Sequence, residues 1–252
     1  RKICNAVLIS IREIPELNGI HHREDGSIVI GAGTCFDTIY QDTLINRHIP
    51  ILAEAANQVG SPQIRHVATI GGNLCHADPT ADPPAALISL GASVEIASRS
   101  GRRVIPVDEL FADYMETVLE PGELLTAVLL PSPGSSSAYV KHRVRGIDTA
   151  IVGVGVGLKL AADGETCESA GIGLSGTGTT PLRASAAEAA LTGAALTPEL
   201  WAEAGRIASE ECEPLEDTEA SEWYRRKMVE RFVQRAGALA QARANGQEGL
   251  SA

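Results

Sequence analysis

The chain has 252 residues, 44% of them apolar, 21% charged and only 4% aromatic, and it carries a formal net charge of −11 at a pI of about 5.0. That length predicts two domains, each with a core filled mainly by Ala, Val, Ile and Leu, and the acidic balance argues against a nucleic-acid surface, which needs clustered Lys and Arg. No apolar run reaches the ~18 residues of a membrane span, and five scattered cysteines without a C-x-x-C pattern suggest neither a disulfide framework nor a zinc or iron–sulfur site.

The cysteines are expected to be buried thiols in a cytoplasmic protein. The sequence opens on Arg1 and Lys2 rather than Met, with a strand-like stretch directly after them. Residues 27–31 then form a β-rich run behind the turn Glu24-Asp25-Gly26, and 37–46 show helical spacing with Phe36, Ile39, Tyr40 and Leu44 on one side. A second helix over 51–59 stops at Gly60-Ser61-Pro62. An apolar approach over 66–70 breaks on Gly71-Gly72-Asn73, and Asp82 as N-cap with Pro83 behind it predicts a helix over 83–90. Residues 92–97 and 103–107 read as a hairpin, 108–114 as a helical turn and 124–130 as a strand.

The Pro/Ser/Gly stretch over 131–137 is the best linker in the chain, placing one domain at 1–132 and a second at 133–252. Beyond it, 139–145, 150–160 and 169–174 predict three strands, and everything after Ala184 is helical. The fold class is therefore α+β, the second domain being a small antiparallel sheet backed by helices. The last helix, over 219–243, is amphipathic with Trp223, Met228, Phe232 and Leu239 on its packing face.

The chemistry concentrates between 68 and 82. Two consecutive glycines at the end of a strand leave backbone N–H groups unshielded, and such a nest cradles a phosphate or pyrophosphate; the same pair also suits a tight turn. The loop that follows brings two carboxylates, Asp78 and Asp82, beside a helix start, where a sugar hydroxyl can bind. Asp82 can both cap its helix and accept from a ligand, since a carboxylate has two acceptor oxygens. Cys75-His76 supplies neither a tetrahedral metal set nor a nucleophile with an oriented base. Gly31-x-Gly33 lacks the third glycine of a dinucleotide fingerprint. No catalytic and no metal-ligating residue is assigned.

The stretch from Ala68 to Leu74, followed by Ala77-Asp78-Pro79-x-x-Asp82, resembles the second flavin-contacting segment of the FAD subunits of the xanthine dehydrogenase and carbon monoxide dehydrogenase family. The resemblance continues, in the family's order, through Ile14-Pro15-Glu16-Leu17, Ile30-Gly31-Ala32-Gly33-Thr34, Leu119-Glu120-Pro121-Gly122-Glu123-Leu124-Leu125, Tyr139-Val140-Lys141 and Trp223-Tyr224-Arg225-Arg226. It implies a p-cresol methylhydroxylase-type FAD-binding fold whose first glycine-rich FAD loop lies upstream of this sequence. It also implies that Ala68, Thr69, Ile70, Gly71, Gly72 and Asn73 touch FAD, that Asp82 accepts hydrogen bonds from it, and that Leu125 and Lys141 line the flavin region. A cation at Lys141 would favour the anionic reduced ring; a solvated strand lysine is the other reading of that residue.

The function implied is electron transfer. A large molybdopterin-binding subunit would hydroxylate the substrate, a small subunit with two-iron, two-sulfur clusters would relay electrons, and FAD would pass them to an external acceptor, in a heterotrimer or its dimer. Two alternatives stay open: a self-contained FAD-dependent oxidase or dehydrogenase of the same fold, and a flavin-free scaffold holding partner subunits.

Overall fold

The computed structural model describes residues 7–134 and 136–247. Arg1, Lys2 and Cys4, and Ser135 of the predicted linker, lie outside the described residues. In the first half, β1 (Ile20–His22), β2 (Ile28–Gly31), β3 (Ser93–Ser98), β4 (Gly101–Pro106) and β7 (Leu124–Leu130) form an antiparallel sheet in the order β1-β2-β7-β3-β4. Alternation does the sorting: Val94 and Ile96 of β3 face the core while their neighbours stay partly exposed. The segment predicted as a helical turn at 108–114 is a 3₁₀ turn that passes into β5 (Phe111–Asp113), paired with β6 (Glu116–Thr117).

Between β2 and β3 run α1 (Phe36–Gln41), α2 (Thr43–His48), α3 (Pro50–Gln58), α4 (Pro62–Arg65), α5 (Ile70–His76) and α6 (Asp82–Ser89). The single helix expected over 37–46 is broken at Asp42, whose extended backbone ends α1 and whose side chain caps α2 by accepting from the N–H groups of Leu44 and Ile45. The break also turns Tyr40 and Leu44 outward and brings Ile45 into the core.

In the second half, β8 (Ser136–His142), β9 (Val152–Leu160), β10 (Cys167–Ser175) and β11 (Leu182–Arg183) form an antiparallel sheet in the order β11-β10-β9-β8. The fourth strand was not foreseen, because two residues behind Pro181 carry no periodicity; they become an edge by pairing with Gly173 and Leu174. Behind it pack α7 (Ser185–Leu191), α8 (Pro198–Glu211) and α9 (Glu222–Ala244). Ser221 caps α9, which leaves Trp223 in its first turn 68% exposed and buries Arg225 instead. Arg225 donates to the carbonyls of Ile151 and Gly176 and to Asp217, tying α9 to the residue before β9 and the one after β10.

The two halves meet through α6. All eight of its residues are buried, since one side packs into the first core and the other lies on β9 and β10. Glycines make the approach possible: a Cβ on Gly155 would sit 2.7 Å from the carbonyl oxygen of Ala85 and one on Gly157 2.6 Å from that of Ser89. Cβ atoms on Gly171 and Gly173 would overlap the same two carbonyls. A helix buried on every side must be largely apolar, and the two polar side chains of α6, Asp82 and Ser89, are both hydrogen-bonded.

Candidate functional site

Ala68 and Thr69 do not end a strand. Thr69 makes an isolated bridge to Cys35 and then N-caps α5, its hydroxyl accepting from the Gly72 N–H at 3.1 Å. The glycine pair therefore lies in the first turn of a helix, and its two members differ. Gly71 is buried; its N–H donates to the Ala32 carbonyl at 2.8 Å, and a Cβ would lie 2.5 Å from the Ala32 methyl. Gly72 is exposed, and the only atom near its missing Cβ is the Thr69 hydroxyl. Ile70 is core, with its N–H donating to the Thr34 carbonyl at 3.0 Å. Close packing thus explains Gly71, whereas Gly72 is open to solvent on its side-chain face; the N–H groups of both glycines are already taken, by Ala32 and Thr69, so the expected nest of unshielded donors does not form.

Asn73 follows with a buried side-chain oxygen that has no hydrogen-bond partner. Buried acceptors are ordinarily satisfied, so this oxygen fits a hydroxyl or N–H donor from a bound molecule. In the loop beyond, Asp78 is engaged locally, one oxygen accepting from the N–H and hydroxyl of Thr80 at 2.8 and 2.7 Å. The loop is then held by the second half: Gly176 N–H donates to the Pro79 carbonyl at 2.7 Å and the Ser175 hydroxyl to the Ala81 carbonyl at 2.7 Å.

Asp82 is not the N-cap of α6. Ala81 holds that position, and Asp82, one residue inside, turns its carboxylate toward β8. Oδ1 accepts from the Tyr139 hydroxyl at 2.6 Å and Oδ2 from the Lys141 ammonium at 2.9 Å. Burial pushes the Asp82 carboxyl above its usual range, against the pull of Lys141 and Tyr139. Lys141 is no solvated strand lysine, for its side chain is 2% exposed and also donates to the Gln58 carbonyl at 3.3 Å. Its charge is matched by Asp82, and the pair ties the two halves together. Leu125 is also buried, with its side chain in the first core.

The structure accordingly joins Asp82 and Lys141, sets the 68–73 segment at the start of α5, and puts Leu125 behind the surface. Sequence reasoning missed Tyr139, the partner of Asp82; its place two residues before Lys141 on one strand, hence on the same face, was the available signal. A cleft of about 280 Å³ lies at the linker, bordered by Leu90, Gly91 and Pro131. It opens at the far end of α6, about 12 Å from Asp82 by helix rise, so it is a separate feature. Of the cysteines, Cys167 and Cys212 are buried as expected, but Cys75 is exposed.

Two family models divide the chain: the FAD-binding domain of molybdopterin dehydrogenases matches residues 1–133, and the carbon monoxide dehydrogenase flavoprotein C-terminal domain matches 137–239. The chain belongs to the FAD-binding subunits of molybdopterin dehydrogenases. This flavoprotein subunit is 35% identical over 239 residues to the carbon monoxide dehydrogenase medium chain of Hydrogenophaga pseudoflava, covering 94% of its own length and 82% of the relative. It is 28% identical to the xanthine dehydrogenase FAD-binding subunit of Escherichia coli O157:H7, covering 95% and 82%. Its fold superimposes on a crystal structure of a Cu,Mo-CO dehydrogenase with a TM-score of 0.87 at 34% identity, covering 92% of this chain and 81% of that one. The expected flavoprotein fold and FAD as cofactor both hold, and the subunit is part of an oxidoreductase. No helix among the described residues is long and apolar enough to cross a membrane.

Proposed function

We propose that this cytoplasmic subunit holds FAD between the opening turn of α5 and the Asp82 junction, takes electrons from two-iron, two-sulfur clusters on a small partner, and delivers them to an external acceptor. A large molybdopterin subunit hydroxylates the organic substrate. The observation that carries this reading is the match of both halves, in one chain and in order, to the two flavoprotein families. FAD supplies the redox chemistry when bound. This chain's residues bind and orient it: Gly72 offers an exposed surface without a side chain and Asn73 an unmatched side-chain acceptor next to Ala68, Thr69, Ile70 and Gly71, Asp82 keeps a free lone pair on each oxygen, and Lys141 holds that carboxylate. Leu125 supports the site from the core side.

In the full-length subunit, FAD should bind in a 1:1 ratio by absorbance, and neither an aldehyde nor an N-heterocycle should bleach it until both the molybdopterin and the iron–sulfur partners are added. Bleaching without a partner would favour the self-contained oxidase. Gly72→Val should lower FAD content in a folded protein, whereas Gly71→Val should damage folding, because its side chain would meet Ala32.

A further inference from the structure

We infer that Tyr139, seated over Gly153, is a positioning residue for FAD that acts through Asp82. This deepens the proposal above and rests on Asp82 being an FAD ligand. Tyr139 is the largest fully buried side chain among the described residues, at 1% exposure. A phenylalanine would fill the same core volume, so packing alone does not call for the hydroxyl. That hydroxyl makes a short, charge-assisted bond to Asp82 Oδ1 at 2.6 Å. The strand backbone at this point is anchored independently of the hydroxyl, since the Tyr139 N–H donates to Glu54 Oε2 at 2.9 Å and Glu54 is itself paired with Arg243.

Gly153 supplies the second observation. It lies on β9 opposite Lys141, and the place its Cβ would take is filled by the Tyr139 hydroxyl, with the ring carbon behind it at 3.2 Å. Gly155 and Gly157, further along the same strand, clear the backbone of α6 instead. The gap at 153 thus serves one side chain, letting the phenol cross β9 to the start of α6. With Tyr139 on one oxygen and Lys141 on the other, the plane of the Asp82 carboxylate is set from β8. Its remaining lone pairs then point in fixed directions toward whatever binds.

The test is a double-mutant cycle on the full-length subunit, stripped of FAD and titrated with it by flavin fluorescence, with the melting temperature of each apo-protein measured alongside. Tyr139→Phe and Gly153→Ala should each weaken FAD binding about tenfold. In an Asp82→Asn background both effects should shrink to within about twofold. A purely structural tyrosine would give the same loss in both backgrounds, and that result overturns the inference, as does full FAD affinity in Tyr139→Phe. Full affinity in Asp82→Asn alone would instead remove Asp82 from the proposed site. Should Asp82→Asn not fold, the Tyr139/Gly153 cycle decides by itself: Gly153→Ala must have no further effect once the hydroxyl is gone, and additive losses sink the idea.

Discussion

Lys141 shows how the environment assigns a residue its work. On a solvated strand its charge would be screened and worth little, but here ammonium and carboxylate face each other at 2.9 Å with 2% and 6% of their side chains exposed. Removing one partner of such a pair strands the other. Lys141→Met should therefore cost about 3 to 5 kcal/mol in chemical denaturation at neutral pH. A pH dependence follows. Without Lys141, burial pushes the Asp82 carboxyl further above its unfolded value of about 3.9. The folded state then binds the proton more tightly than the unfolded one, so the variant should lose stability as pH rises from that value, more steeply than the parent. Equal slopes at acidic and neutral pH would mean that Asp82 has found another cation.

At the scale of elements, the close approach of α6 to β9 and β10 depends on side chains that are absent. Gly173→Val would drive a branched side chain into the Ala85 carbonyl and should cost about 3 kcal/mol. Gly178→Ala, where the nearest atom would be 3.5 Å away, should change stability by no more than about 0.5 kcal/mol. Thermal denaturation of the two variants beside the parent checks both values, and equal effects would refute close packing as the cause. The same geometry explains why α5 was hard to foresee: Thr69 caps a helix whose second and third residues are glycines, so poor helix propensity hid a first turn that tertiary contacts from the Ala32 and Thr34 carbonyls sustain.

At the scale of the whole molecule, the halves share polar contacts across long sequence distances. Arg243 near the end of α9 pairs with Glu54 of α3 and donates to the Ser137 carbonyl at 2.9 Å, while Asp82 binds Tyr139 and Lys141. The apo-protein should consequently unfold in one calorimetric transition. FAD at one hundred times its dissociation constant should stabilise that transition by about 2.7 kcal/mol. Two transitions, only the first shifted by FAD, would show that the second half neither shares the core nor reaches the cofactor.

Local signals sufficed for much of this. The alternation of Val94 and Ile96, the Gly60-Ser61-Pro62 stop and the strand over 124–130 follow from side-chain period and backbone preference, which act within a few residues and so can be read along the chain. The ordered run of motifs from Ile14 to Arg226 was likewise enough to mark the flavoprotein family. The partner of Asp82, the burial of Lys141, the split between Gly71 and Gly72, and the reason for Gly153 were legible only in three dimensions. Each depends on which backbone or side chain arrives from a distant segment, and the strength of a charge or the need for a glycine is set by that neighbour rather than by the residues beside it in sequence.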